Sequence, residues 1–231
     1  MGKGVLSREK GTSGVESQTV SRYLEAIYYI DAEGERVKAA RLAEWLGVSQ
    51  PTAGATLQRM VRDGLVQISS AKDVSLTSHG RQQAAAVVRR HRVAERWLTD
   101  VLGLDWLAAD EEAGRLEHAL SDAVTDRLYK LIGEPRTCPH GNPIPGAAAD
   151  GKSERALRDL PPGSRSRIRR VSEVAEHETP QLLNFLEGAS LRLGAEVKSV
   201  EVNAGAGTLT VEVKGRPVAM SLQVAGKIWV E

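Results

Sequence analysis

His91 and Glu95 stand four residues apart in RRHRVAERWL, a spacing that sets an imidazole and a carboxylate on one face of a helix. Further along, Asp110, Gly114 and His118 fall one helical turn apart, with Glu117 beside His118. If the two helices run as antiparallel neighbours, as the short Gly103-Leu104-Asp105 connection implies, these groups converge. Histidine with Asp and Glu, and no cysteine, suits Mn²⁺, Fe²⁺ or Zn²⁺ better than a thiolate-seeking metal. The same residue types also make an ordinary charged solvent face, and His118 equally fits a buried, hydrogen-bonded histidine.

The elements that would carry these groups can be read in order. Thr19 to Ile30 has Tyr23, Ile27 and Ile30 along one stripe, as an amphipathic helix does. From Ala39 to Leu76, apolar residues at Leu42, Ala43 and Leu46 precede a Gly-Val-Ser break, and a second helical period follows at Ala53, Leu57, Met60 and Val61. Ser49 is placed as the cap of that second helix, with Pro51 in its first turn. Asp63-Gly64 stops it, and Leu65 to Ile68 and Val74 to Leu76 read as a hairpin, giving a winged helix-turn-helix. Such a unit suits the major groove of DNA or, alternatively, serves as a protein-docking module. Thr77 caps a long helix to Gly103, and a second runs from about Leu107 to Leu131. Gly133 to Gly146, rich in Gly and Pro, interrupts helix repeatedly. Beyond Arg167 the period turns to alternation: Ile168 to Val174, Ala195 to Val202, Thr208 to Val213 and Val218 to Val230 read as strands, with one short helix at Gln181 to Leu186. Short strands in so small a segment suggest a small barrel.

The chain has 231 residues, 41% hydrophobic and 26% charged, enough to bury a sizeable core as one large or two modest domains. With a formal net charge of only +1, affinity for a polyanion has to come from local patches such as Arg89-Arg90-His91-Arg92 and Arg165 to Arg170. A single cysteine, Cys138, excludes an intramolecular disulfide framework and fits a reducing cytosol. No signal peptide is read at the N-terminus, and no window approaches the roughly 18 apolar residues of a membrane helix. A cytoplasmic location is therefore expected.

Taken in order, SQPTAGATLQRM, RDGLV, RRHRVAERWL, EHALSDAV and CPHGNPIPG resemble the iron- and manganese-dependent repressors of the diphtheria toxin repressor/manganese transport regulator family, from Ser21 to Glu231. The resemblance implies a mainly α fold with a winged helix-turn-helix N-terminal domain, a helical dimerisation domain and a small C-terminal SH3-like β-barrel. It divides the chain into a disordered tail (1–18), a DNA-binding domain (19–80), a helical metal-binding and dimerisation domain (81–146), a linker (147–165) and an SH3-like, FeoA-like domain (166–231). It implies a homodimer that binds a palindromic duplex operator in response to metal and represses metal-homeostasis genes.

Carried over residue by residue, the ancillary metal site of the family falls on His91, Glu95 and Asp110, with Glu178 and Gln181 supplied by the C-terminal domain. The primary site falls on Glu117 and His118, with Glu25 as the manganese-type carboxylate. Gly114 and Arg22 stand where the family pattern has further ligands. Gly114 and Arg22 replace the sulfur ligands of the family's iron-type members, which points to Mn²⁺, with Fe²⁺ as the alternative. DNA contacts are implied for Ser49, Gln50, Pro51, Thr52, Gly54, Ala55 and Arg59 and for Lys72 on the wing; Gly54-Ala55 replaces a hydrogen-bonding pair.

Three other readings compete. One is a regulator of the same family whose degenerate primary site leaves DNA binding metal-independent. Another is a metalloenzyme, although no nucleophile–base constellation or phosphate loop is present. The third is an interaction module working through its barrel.

Overall fold

The computed structural model describes residues 13–148 and 153–231. They fall into two compact units, Met1–Ala84 and Ala85–Glu231. The sequence expectation for residues 1–12 lies outside the described residues.

The first unit is a winged helix. Helix α1 spans Ser13–Ala32, so helix already occupies the last residues of the segment read as a tail. Tyr23, Leu24, Ala26, Ile27 and Ile30 are buried along it, as the stripe requires. Helix α2 (Ala39–Leu46) ends on Gly47, whose φ of 65° is the left-handed cap that lets the chain turn at once into α3 (Gln50–Arg62). Ser49 caps α3 by accepting from the Thr52 amide at 3.2 Å, and Pro51 sits where no amide partner is needed. Strands β1 (Val66–Ile68) and β2 (Val74–Leu76) pair antiparallel as the wing. Leu42, Ala53, Leu57, Met60, Val66 and Val74 are buried within this unit.

Helix α4 (Ser78–Asp100) contains the boundary between the units. The long second helix expected from Leu107 to Leu131 is instead two, α5 (Trp106–Leu116) and α6 (Asp122–Leu131). Ser121 explains the break: its side chain accepts from the Val124 amide at 3.3 Å and starts a new helix, so Glu117 to Leu120 form a turn. That turn holds Glu117 and His118.

The rest of the second unit is built on one antiparallel sheet. Its strands are β3 (Arg155–Ala156), β4 (Arg165–Val171), β5 (Glu196–Asn203), β6 (Thr208–Val213), β7 (Arg216–Ser221) and β8 (Ile228–Val230). Their order is β3-β8-β4-β5-β6-β7, with no pairing between β3 and β7 to close a barrel among the described residues. Helices α7 (Glu173–Glu178) and α8 (Gln181–Gly188) follow β4, where one helix was expected, and α9 (Leu222–Ala225) interrupts the final expected strand. Part of the segment read as linker also belongs here, because Leu157 and Leu160 are buried in the same core as the sheet. Trp106, the first residue of α5, joins that core as well, and α5 packs on α8. Helix α5 thus reaches the sheet's apolar core through Trp106, while Ala94, Leu98, Ala109 and Ala113 of α4 and α5 form a separate cluster.

Candidate metal centre

On α4, His91 and Glu95 face inward as their spacing predicts, and each meets a different set of groups. His91 Nε2 lies 3.3 Å from Asp110 Oδ1 on α5, while its Nδ1 lies 2.8 Å from Glu117 Oε2 in the turn after α5. Glu117 Oε1 is in turn 3.3 Å from His118 Nε2. Arg90 fixes that turn by donating through Nε to the Glu117 carbonyl at 2.8 Å and through Nη1 to Asp122 at 3.0 Å. Burial pulls the His91 pKa down, but its hydrogen bonds to Asp110 and Glu117 outweigh this and hold it well above 6.5. Burial pushes Asp110 up, yet hydrogen bonding to His91 and the charges of His91, His140 and His177 bring it below 3.8. In the metal-free chain a proton thus sits where a cation could, between two carboxylates.

Glu95 reaches a second and deeper cluster. Its Oε1 approaches His140 Nδ1 at 2.7 Å, and Glu176 Oε2 of α7 approaches the same nitrogen at 3.4 Å. Ligand atoms of Glu95, Cys138 and His140 all lie within 4.8 Å of one another. Each of these four side chains is buried: His140 and Cys138 are 1% exposed, Glu95 2% and Glu176 6%. Nevertheless Glu95 Oε1, both ring nitrogens of His140 and Glu176 Oε1 have no hydrogen-bond partner of good geometry. Polar atoms buried without such partners are costly, and a cation held by Glu95, Cys138 and one ring nitrogen of His140 would satisfy part of this set. An imidazole, a thiol and two carboxylates are also a chemically competent donor set for a first-row divalent ion. Burial drives the Cys138 thiol up to about 11 and the Glu176 carboxyl up to about 8, and the charges of Glu176 and Glu95 overcome burial to raise His140 well above 6.5.

The loop carrying Cys138 and His140 is held in place from both ends. The Cys138 amide donates to the Asn142 carbonyl at 2.9 Å, the Val171 amide to the His140 carbonyl at 2.8 Å, and Asn142 Nδ2 to the Val171 carbonyl at 3.0 Å. Gly141 between them has φ +92°, and a Cβ there would fall 2.1 Å from the Arg169 carbonyl oxygen. Only glycine fits. The Trp106 ring meets the His140 ring edge-on at 4.7 Å between centroids.

Among the residues singled out from sequence, His91, Glu95 and Asp110 come together, and Glu117 and His118 join them through His91. Glu178 and Gln181 do not: both are exposed, and the carboxylate that α7 turns into the cluster is Glu176. Glu178 lies two positions after Glu176, about 200° around a helix, so only one of them can face inward. Gly114 offers no side chain; Glu25 is buried and Arg22 exposed, both in the first unit. Sequence reasoning missed Cys138, His140 and Glu176. A Cys and a His two residues apart in CPHG were visible, but the surrounding Gly and Pro made the stretch read as a structure breaker. The deeper cluster at Glu95 includes a cysteine, Cys138, which the His91, Asp110, Glu117 and His118 set does not.

The DNA-facing candidates lie on the first unit. Gln50, Pro51, Thr52 and Ala55 are exposed on α3, Gly54 and Arg59 are half-buried, and Ser49 is engaged with Thr52 as the cap. Lys72 is exposed at the wing tip with φ 65°. Lys38 ties that tip to the start of α2, donating to the Ala71 carbonyl at 3.3 Å and lying 3.6 Å from Asp73.

Comparison with known proteins accounts for this arrangement. Residues 17–74 match the iron dependent repressor N-terminal DNA binding domain, 77–146 the iron dependent repressor metal binding and dimerisation domain, and 155–231 the FeoA domain. The diphtheria toxin repressor of Corynebacterium diphtheriae is 38% identical over 226 residues, covering 92% of this chain and 96% of its own. The chain belongs to the diphtheria toxin repressor family. The iron-dependent repressor IdeR of Mycobacterium tuberculosis is also 38% identical, over 224 residues and 92% of this chain and 96% of its own. Among solved structures of the family, a manganese-dependent transcriptional repressor in complex with manganese is 32% identical, with TM-score 0.81, covering 91% of this chain and 98% of that one. The crystal structure of T. acidophilum IdeR is 27% identical, with TM-score 0.74, over 91% of this chain and 96% of that one. As a member of this family the chain is a metal-dependent transcriptional repressor and not an enzyme, with Mn²⁺ or Fe²⁺ as its cofactor. No helix among the described residues is long and apolar enough to cross a membrane.

Proposed function

We propose that this repressor takes its cation at two adjoining places joined by Glu95: an outer site of His91, Asp110, Glu117 and His118, and a buried site of Glu95, Cys138, His140 and Glu176. The observation that carries this reading is the set of buried ligand atoms on Glu95, His140 and Glu176 that crowd together without a hydrogen bond of good geometry. Outer donors that are oxygen and imidazole favour Mn²⁺; the single thiol of the buried set also accommodates Fe²⁺. A bound divalent cation would supply positive charge and bonds to several elements at once. His91 and Glu117 hold the α4 and α5 ends together, and Glu176 anchors α7 to them. We further propose that metal binding favours one arrangement of the reading heads.

On the DNA side, Gln50, Pro51, Thr52, Gly54 and Ala55 form the face of α3 offered to the major groove, with Arg59 and Lys72 on phosphates. Arg36, Lys38 and Arg41, which line one groove with Gln50, add phosphate contacts. A homodimer is supported by apolar side chains exposed in the dimerisation domain, Val101 and Leu102 at 53% each and Leu131 at 68%. We read the C-terminal sheet domain as SH3-like and the protein as acting in the cytoplasm on a palindromic operator.

Gly114 and Arg22, standing where relatives would contribute ligands, favour one second reading: an operator-binding form that needs no metal. Gel-shift titration of a selected operator, with chelator or with added Mn²⁺ or Fe²⁺ under reducing conditions, separates the two. Tight binding only with metal, lost on changing His91→Ala and His118→Ala together, supports the first reading. Equal binding in chelator supports the second.

A further inference from the structure

The geometry points to Arg92 as a positioning residue for the buried site: one guanidinium clamps both the helix and the loop that bring donors to Glu95. This rests on the reading that Glu95, Cys138, His140 and Glu176 hold the cation, and it assigns a role to a residue that itself offers no ligand.

Arg92 follows His91 on α4 and its side chain is only 3% exposed, a burial that an always-charged group tolerates only when it is fully paired. Its Nε donates to Glu173 Oε1 at 2.8 Å and its Nη2 to Glu173 Oε2 at 2.6 Å, the forked geometry in which guanidinium and carboxylate match best. The remaining Nη1 donates to the carbonyl of Pro143. Each partner leads directly to the site. Glu173 is the first residue of α7, capped by Ser172, and Glu176 lies one turn further on the same face. Pro143 ends the loop in which Cys138, His140 and Asn142 are fixed, and this loop is bonded to Val171 just before α7. A single planar group on α4 thus sets the distance from Glu95 to donors arriving from two separate segments. Lysine would keep the charge but could not bond the two Glu173 oxygens and the carbonyl together in one plane.

The test is Co²⁺ titration of the full-length chain under reducing conditions, followed by the near-ultraviolet thiolate-to-cobalt absorption that reports bonding to Cys138. Arg92→Lys and Glu173→Gln should each weaken Co²⁺ binding by on the order of 10–100-fold and diminish that band at saturation. Leu209→Ala, a fully buried change in the sheet far along the chain from the clamp, serves as the control for mere loss of stability. It should lower the melting temperature and leave affinity and band as in the parent. Parent-like affinity and band in both clamp variants would overturn the proposal, as would an equal loss in Leu209→Ala. Absence of the band from the unmodified chain, or its persistence in Cys138→Ser, would instead overturn the buried site on which the proposal depends.

Discussion

At the scale of single residues, the buried site is a place where protons and a cation compete. Burial raises the Glu176 carboxyl to about 8, and the carboxylates around His140, Glu176 and Glu95, raise its imidazole well above 6.5, so the cluster as a whole holds protons at neutral pH. Metal ligation needs the carboxylate and the neutral imidazole, so binding must release these protons. Apparent affinity for Mn²⁺ or Co²⁺ should therefore rise as pH increases through about 8, with protons released into a weakly buffered solution during titration. For the metal-free chain the sign follows from both groups. His140, raised on folding, contributes stability below 6.5 that is lost as pH climbs through its folded value; Glu176, also raised, becomes a growing burden between 4.5 and about 8. The melting temperature of metal-free protein should fall on that alkaline side, and added metal should restore it most there.

At the scale of elements, register decides which side chains can take part. Helix α7 turns Glu173 toward Arg92 and Glu176 toward His140, and leaves Glu178 exposed. Glu176→Gln should weaken metal uptake by at least on the order of tenfold, while Glu178→Gln should leave it unchanged; isothermal titration of the two variants checks the assignment. The family resemblance put the ligands of this segment on Glu178 and Gln181, both exposed, whereas the carboxylate that approaches His140 is that of Glu176. By contrast, the i, i+4 pair His91 and Glu95 was legible, since a long helix rich in Ala and Arg fixes its own register. The loop from Cys138 to Pro143 depends on Gly141, where a Cβ would meet the Arg169 carbonyl at 2.1 Å in a backbone of φ +92°. Gly141→Ala should cost about 1–3 kcal/mol in denaturant unfolding and reduce metal binding with it.

At the scale of the whole molecule, a net charge of +1 leaves DNA binding to local surfaces and to the pairing of two reading heads. Leu131, 68% exposed on α6, belongs to the apolar face we assign to the partner subunit. Leu131→Asp should shift sedimentation toward monomer and weaken operator binding, while leaving Co²⁺ uptake by each chain unchanged. The amino-acid sequence by itself determined the winged helix, the order of helical and strand-bearing parts and the His91–Glu95 and Glu117–His118 pairs, because local periodicity, caps and turn residues act over a few positions. Only the tertiary structure decided that Cys138, His140 and Glu176 meet Glu95, that Arg92 locks their carriers, and that Leu157 and Leu160 belong to the sheet's core. Those contacts join residues tens of positions apart, and they form where buried groups find partners, which no local pattern records.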